Sequence, residues 1–204
     1  PLVPIHDKTI IDFIINQFKP YGINSFSFTL NYKASLIKTY LKNNIKKKSF
    51  KYYLEKKPLG TIGSLSLIDK KKISENFFVT NCDILIKSDF EKIYDFHMKR
   101  NNSISIVVCN QKYKIPYGTC NIKKDGTLKS LIEKPETDYL INTGFYLMKK
   151  KSLNLIPKNT YLDFNDFINI ALKKKLKIGV YPIDLNSWID IGTWSEYKKN
   201  IVSI

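Results

Sequence analysis

Hydrophobic periodicity constrains this chain most: segments with apolar residues at helical spacing alternate with short apolar, β-branched or aromatic runs almost from end to end. Ile10, Ile11, Ile14, Ile15 and Phe18 mark a helix over His6 to Phe18, closed by Pro20 and Gly22, and Ile23 to Leu30 alternates as a strand. The pattern then predicts a helix over Lys33 to Leu41, a strand over Phe50 to Glu55 and a helix over Gly63 to Lys72. Asn76 to Thr80 follows as a strand. After it comes a helix capped by Ser88, with Glu91 at the capping-box position, running to about Arg100. Ser103 to Cys109 reads as a strand. Regular alternation of this kind demands a layered α/β fold with a largely parallel sheet.

Beyond Pro116 the pattern changes. Tyr117 to Ile122 and Leu128 to Glu133 flank Asp125-Gly126, the strongest short hairpin signal, and Tyr139 to Met148 is a further strand. Asn165 to Lys174 reads as a helix, Ile178 to Ile183 as a strand, and Thr193 to Ile201 as the last helix. No repeat and no low-complexity linker divides the chain, so residues 1–204 are expected to form one domain with a single core.

With 43% apolar residues the chain is no disordered tail, and its apolar runs fall far short of the roughly 20 residues that span a bilayer. Cys82, Cys109 and Cys120 are odd in number and widely spaced, indicating neither a disulfide framework nor a zinc site. No charged-then-apolar leader is seen, so a cytoplasmic location is expected. The net charge of +16 suggests a nucleic-acid or anionic-surface partner, but Arg100 is the only arginine among the 34 basic residues. Phosphate and base readout favours the planar guanidinium, which this chain nearly lacks. The lysine runs Lys46–Lys48, Lys70–Lys72, Lys149–Lys151 and Lys173–Lys175 fall at predicted helix ends and loops. They read as solvated surface, and neither a nucleic-acid nor a membrane partner is expected.

In open α/β sheets, ligands gather beyond the carboxyl ends of the strands. Gly60, Gly63, Gly118, Gly144 and Gly192 lie beside polar or acidic residues at such ends. Pro58 to Ser64, with Leu59, Gly60, Thr61 and Gly63, leads into a predicted helix, where glycine lets backbone approach a flat ligand. A plain turn with a hydroxyl cap accounts for this segment equally well. Asp83 closes one strand and Asp190 stands in Trp188 to Thr193, so two carboxylates far apart in sequence suit one shared Mg²⁺. Asn142-Thr143-Gly144 interrupts an apolar strand, a costly arrangement unless a ligand or partner satisfies it. Glu133 and Lys134 follow the hairpin, and an exposed ion pair is their plain alternative.

Together these residues resemble the sugar-1-phosphate nucleotidyltransferases, or NDP-sugar pyrophosphorylases. The resemblance runs through Pro1 to Ile5, Asn31-Tyr32-Lys33, Pro58 to Gly63, Asn81 to Asp83, Tyr117-Gly118, Glu133-Lys134-Pro135, Asn142-Thr143-Gly144 and Trp188 to Thr193. It is nearest to the guanylyltransferase-like branch, which includes glucosamine-1-phosphate and mannose-1-phosphate guanylyltransferases. It implies a three-layer, Rossmann-like nucleotide-diphospho-sugar transferase fold: a mixed, mainly parallel sheet with helices on both faces. The activity implied is transfer of a nucleoside monophosphate, GMP by the branch, from an NTP such as GTP to a sugar 1-phosphate. Such products serve surface-glycan or nonulosonate sugar synthesis. Asp83 and Asp190 match the catalytic, Mg²⁺-binding carboxylates; Leu59, Gly60, Thr61 and Gly63 match the nucleotide-binding segment; Gly118, Glu133, Lys134, Asn142 and Gly144 match the sugar-phosphate side. A homo-oligomer and an upstream CBS-domain pair are compatible with the resemblance.

The family pattern also has a first strand and a Gly-rich loop of GGxGTRL type ahead of the segment that starts here at Pro1. That loop holds the triphosphate, so the activity is expected of the parent protein and not of these 204 residues alone. Two other readings stand beside this one. A related NDP-sugar-dependent glycosyltransferase would carry a metal-binding DxD, but Asp83 is followed by Ile84 and Leu85. A non-catalytic nucleotide-sugar sensor would have lost its phosphate loop.

Overall fold

The computed structural model describes residues 1–45 and 50–200; the Lys46–Lys48 run and the predicted end of the last helix at Ile201 lie outside them. Pro4–Ile5 (β1) and Lys8–Thr9 (β2) pair antiparallel, so the first helix starts late, as Ile10–Phe18 (α1). Thr9 caps it, its backbone N–H donating to the Asp12 carboxylate at 2.9 Å. Phe26–Leu30 (β3), Ala34–Asn44 (α2) and Phe50–Leu54 (β4) follow, with β3 and β4 paired in parallel and α2 packing Ile37 and Leu41 beside Leu30.

The helix expected over Gly63 to Lys72 is instead one turn, Gly60–Gly63 (α3), and two 3-10 turns, Ser64–Leu67 and Lys70–Lys72. The Asp69 carboxylate accepts from Lys71 N–H and starts the last turn, breaking the run. Asn76–Thr80 (β5), Ile84–Ile86 (β6) and Phe90–Lys99 (α4) come next. The cap of α4 is Asp89, not Ser88; its carboxylate accepts from the N–H groups of Glu91 and Lys92.

Ile104–Lys114 (β7) and Glu136–Lys149 (β10) are longer than expected and run out together as an arm, between whose strands Thr119–Ile122 (β8) and Leu128–Ile132 (β9) form the hairpin. Phe164–Lys173 (α5), Ile178–Ile183 (β11), Trp188–Asp190 (β12) and Trp194–Asn200 (α6) complete the chain. The four-stranded sheet has the order β11-β7-β10-β5. β11 is parallel to β7, and β10 is antiparallel to both neighbours, so three strands share one direction and β10 alone opposes them.

Strand alternation sends the side chains to two layers. Phe78, Val107, Cys109, Phe145 and Ile183 face α1 and α4, where Phe18 stacks on Phe145 with ring centroids 5.9 Å apart and Phe90 lies tilted against it at 5.0 Å. Phe77, Val79, Ile104, Ile106, Tyr146 and Met148 face Phe164, Phe167 and Ala171 of α5. Helices therefore cover both faces, as expected.

Among the described residues β3 pairs only with β4 and β5 only with β10. Their other edges line one opening of about 980 Å³, bounded by Ser25 to Thr29, Asn76 to Thr80, and Ile14 and Phe18 of α1.

Candidate active site

The carboxyl end of β5 turns through Asn81 and Cys82 into Asp83, and the pairing of β6 with β12 sets Asp190 opposite Ile84. Ile191 N–H donates to the Asp83 carbonyl at 2.9 Å. The two carboxylates, 107 positions apart in sequence, thereby face one point: a Cβ on Gly192 would lie 3.1 Å from an oxygen of each. Gly192 N–H donates to the Asp190 carboxylate at 2.7 Å. Burial raises the pKa of Asp83 above the ordinary carboxylate range, and the charge of Asp190 raises it further. A half-buried like-charge pair around a space the size of a methyl group fits a divalent cation. No cluster of three or more His, Cys, Asp or Glu suited to a metal occurs among the described residues, so such an ion would keep positions for water and phosphate.

Gly60 and Gly63 have a different reason from the one expected. A Cβ at Gly60 would meet the Leu162 carbonyl at 2.6 Å, and one at Gly63 the Thr160 carbonyl at 2.6 Å. They admit the chain's own 160–163 segment. The N–H groups of Ile62 and Gly63 both donate to Leu162 O, and Leu162 N–H donates to Leu59 O. Leu59 is buried with only its backbone engaged. Thr61 points outward: its N–H donates to Asp163 Oδ1 at 3.1 Å, and its hydroxyl accepts from Phe164 N–H at 2.9 Å, capping α5. Tyr161 also donates to Asp163 at 2.8 Å, and that bond, with those from Thr61, holds the carboxyl below its usual pKa.

The polar triplet in β10 is a β-bulge, where the register against β7 shifts between Asn142 and Phe145. Its cost is met within the protein. Thr143 points inward and donates to Val107 O at 2.8 Å; Asn142 accepts from Gly144 N–H and donates to the Tyr146 hydroxyl at 3.0 Å. Gly144, at φ +80°, accepts at its carbonyl from Asn81 N–H, and a Cβ there would stand 2.6 Å from the Asn81 amide. Tyr146 stacks on Phe164 at 3.6 Å, and burial pushes its hydroxyl up to about 12.

Thr61, Asp83, Asn142, Gly144 and Asp190 thus line one cavity of about 540 Å³, with Asn81, Tyr146, Asp163 and Gly192 completing its wall. Thr61, Asn81 and Asp83 also border the larger opening, as does Gly60. Gly118, Glu133 and Lys134 line neither. They meet one another on the arm, where Gly118 leaves room for the Glu133 carboxylate, and Lys134 pairs with Glu133 at 3.9 Å with both side chains exposed. Sequence reasoning missed Asp163 and Tyr146, and took Asn81 only as part of the Asn81 to Asp83 motif. Asp163 carried the signal of a residue ahead of a predicted helix, but nothing local marks its meeting with Thr61, 102 positions away.

The chain matches the family described as Nucleotidyl transferase over residues 1–203. It is 31% identical over 205 residues to D-glycero-alpha-D-manno-heptose 1-phosphate guanylyltransferase of Campylobacter jejuni, covering 100% of this chain and 89% of that protein. It is 29% identical to Mannose-1-phosphate guanylyltransferase 1 of Arabidopsis thaliana, covering 97% of this chain but 56% of the plant protein. The crystal structure of HddC from Yersinia pseudotuberculosis shares the fold, with a TM-score of 0.75 at 24% identity over 100% of this chain and 88% of that one.

Proposed function

The chain belongs to the nucleotidyl transferase family, and from that premise we propose that its site transfers a nucleoside monophosphate, GMP from GTP, to a sugar 1-phosphate. A phosphate oxygen of the sugar attacks the α-phosphorus, the bond from the α-phosphorus to the bridging oxygen breaks, and pyrophosphate leaves with that bond's electron pair. The observation that carries this reading is the convergence of Asp83 and Asp190 on Gly192, in a cavity walled by Thr61 on one side and the Asn142–Gly144 bulge on the other.

In-line phosphoryl transfer asks mainly for positioning and charge neutralisation. Asp83 and Asp190 would hold Mg²⁺, which when bound offsets negative charge on the phosphate oxygens. Thr61, fixed by Asp163, presents backbone toward the nucleotide, as Gly60 does where it borders the larger opening. Asn142, locked by Tyr146 and by Gly144 N–H, sits on the sugar-phosphate side. Glu133, Lys134 and Gly118 stand on the arm, outside both openings. The mannose- and heptose-1-phosphate activities of the relatives favour a hexose or heptose 1-phosphate acceptor. The opening between β3 and β5 supports a further strand there.

The test is pyrophosphate release by the natural full-length protein with Mg²⁺, GTP and a panel of hexose and heptose 1-phosphates. Release that requires one sugar phosphate and falls by about a hundredfold or more in Asp83→Asn and in Asp190→Asn is expected. No release with any NTP and sugar-phosphate pair overturns the reading, and binding without turnover favours a sensor.

A further inference from the structure

Three lysine runs that look separate in sequence are gathered by the fold at one end of the molecule. The register places the starts of β5, β7 and β11, at Asn76, Ile104 and Ile178, level with the end of β10 at Lys149. That is the end of the sheet opposite Asp83. Lys149–Lys151 leaves β10 there, and Lys150 N–H donates to Glu75 O at 2.7 Å. The Lys70–Lys72 turn lies alongside, tied by the Lys70 ammonium to Asn154 at 2.7 Å. Lys177 accepts from Ser103 N–H at 2.7 Å, just beyond the last turn of α5 and Lys173–Lys175. Lys99 and Arg100 close α4, and Asn101 beside them accepts from the Lys149 ammonium.

Three carboxylates stand among these cations. Asp69 pairs with Lys72 at 3.7 Å, Glu75 with Lys150 at 3.6 Å and Asp95 with Lys99 at 2.8 Å. The remaining ammonium groups have no ion pair among the described residues. Complementing the carbonyl ends of α4 and α5 accounts for one or two cations each, not for three triplets. Interleaved with the lysines, Met98 and Leu172 are exposed at 45% and 55%.

We propose that this basic face docks the protein on an anionic lipid surface with the active site turned away from it. Spread lysines answer a diffuse negative surface, and the two apolar side chains suit the boundary between headgroups and acyl chains. Nucleic acid fits less well. The face carries a single guanidinium, and of the exposed aromatics Tyr113, Tyr117 and Tyr139 stand on the arm and Tyr161 and Trp194 toward the site end.

The test is co-sedimentation of the protein with phosphatidylcholine vesicles with and without phosphatidylglycerol, at low and raised salt. Binding only to the anionic vesicles, weakened by salt, is expected. Replacing Lys70–Lys72 and Lys173–Lys175 together by Gln should weaken it by about tenfold or more with thermal unfolding unchanged. Removing Lys123, Lys124 and Lys129 from the hairpin should weaken it far less. Three results overturn the proposal: no binding to anionic vesicles at low salt, equal loss in the hairpin variant, or displacement from the vesicles by double-stranded DNA.

Discussion

Two glycines of the site separate a structural requirement from a chemical one. Gly144 stands at φ +80° with the Asn81 side-chain amide 2.6 Å from the place of a Cβ, so Gly144→Ala must both strain the backbone and displace that side chain. A loss of about 3 kcal/mol in chemical denaturation is expected. Gly192 has no such backbone demand, and its missing Cβ leaves the space between the two carboxylates. Gly192→Ala should stay within about 0.5 kcal/mol of the parent in stability and yet lose Mg²⁺-dependent turnover. Equal stability losses in the two variants would contradict this division. His97 gives a third test. It is fully buried, with Nδ1 against the Ser105 hydroxyl at 2.8 Å and Nε2 without a hydrogen-bond partner among the described residues, and burial, then the Lys149 charge, lowers its pKa to about 4. The unfolded chain takes up that proton near pH 6.5, so stability is complete above about 6.5 and falls by about 3 kcal/mol as pH drops toward 4. Urea midpoints at pH 7 and 4.5 measure the fall, which should shrink in His97→Gln.

At the scale of elements, α3 and α5 act as one unit. Thr61 caps α5 while Asp163, the residue before α5, holds Thr61 N–H, and the backbone of Leu59 and Leu162 joins them in between. Asp163→Asn keeps the shape but weakens a charge-assisted bond, so the loop should loosen where the nucleotide is proposed to sit. A rise of about tenfold in KM for the NTP with little change in kcat is expected, and an unchanged KM would show that the loop holds without Asp163. This joint also marks the limit of what the sequence displays. The strands from Asn76 and Ile104 and the helix after Asp163 were legible because their apolar spacing is local. The meeting of Asp83 with Asp190 was foreseen from their strand-end positions. Gly63 to Lys72 was misread as one helix because its breaks come from Thr160, Leu162 and the Asp69 cap, contacts that spacing does not encode. The same holds for the triplet of β10, whose polar groups are satisfied by Val107 and Tyr146 across a bulge.

For the whole molecule, the sheet's division decides where stability is concentrated. β7 lies between two strands, with Ile104 and Val107 fully buried, whereas among the described residues β3 and β5 each present one free edge to the same 980 Å³ opening. Unpaired strand edges are expensive when dry and adhesive when wet. Amides on those two edges should therefore exchange rapidly in the 204-residue chain, while those of β7 exchange only through global unfolding. A chain carrying a further strand in the opening should protect the β3 and β5 amides together, because one strand entering the opening pairs both edges at once. Hydrogen exchange read by mass spectrometry on the two chains makes the comparison. Protection of β3 and β5 equal to that of β7 in the 204-residue chain would mean that the two edges are already paired, leaving no place in the sheet for a further strand.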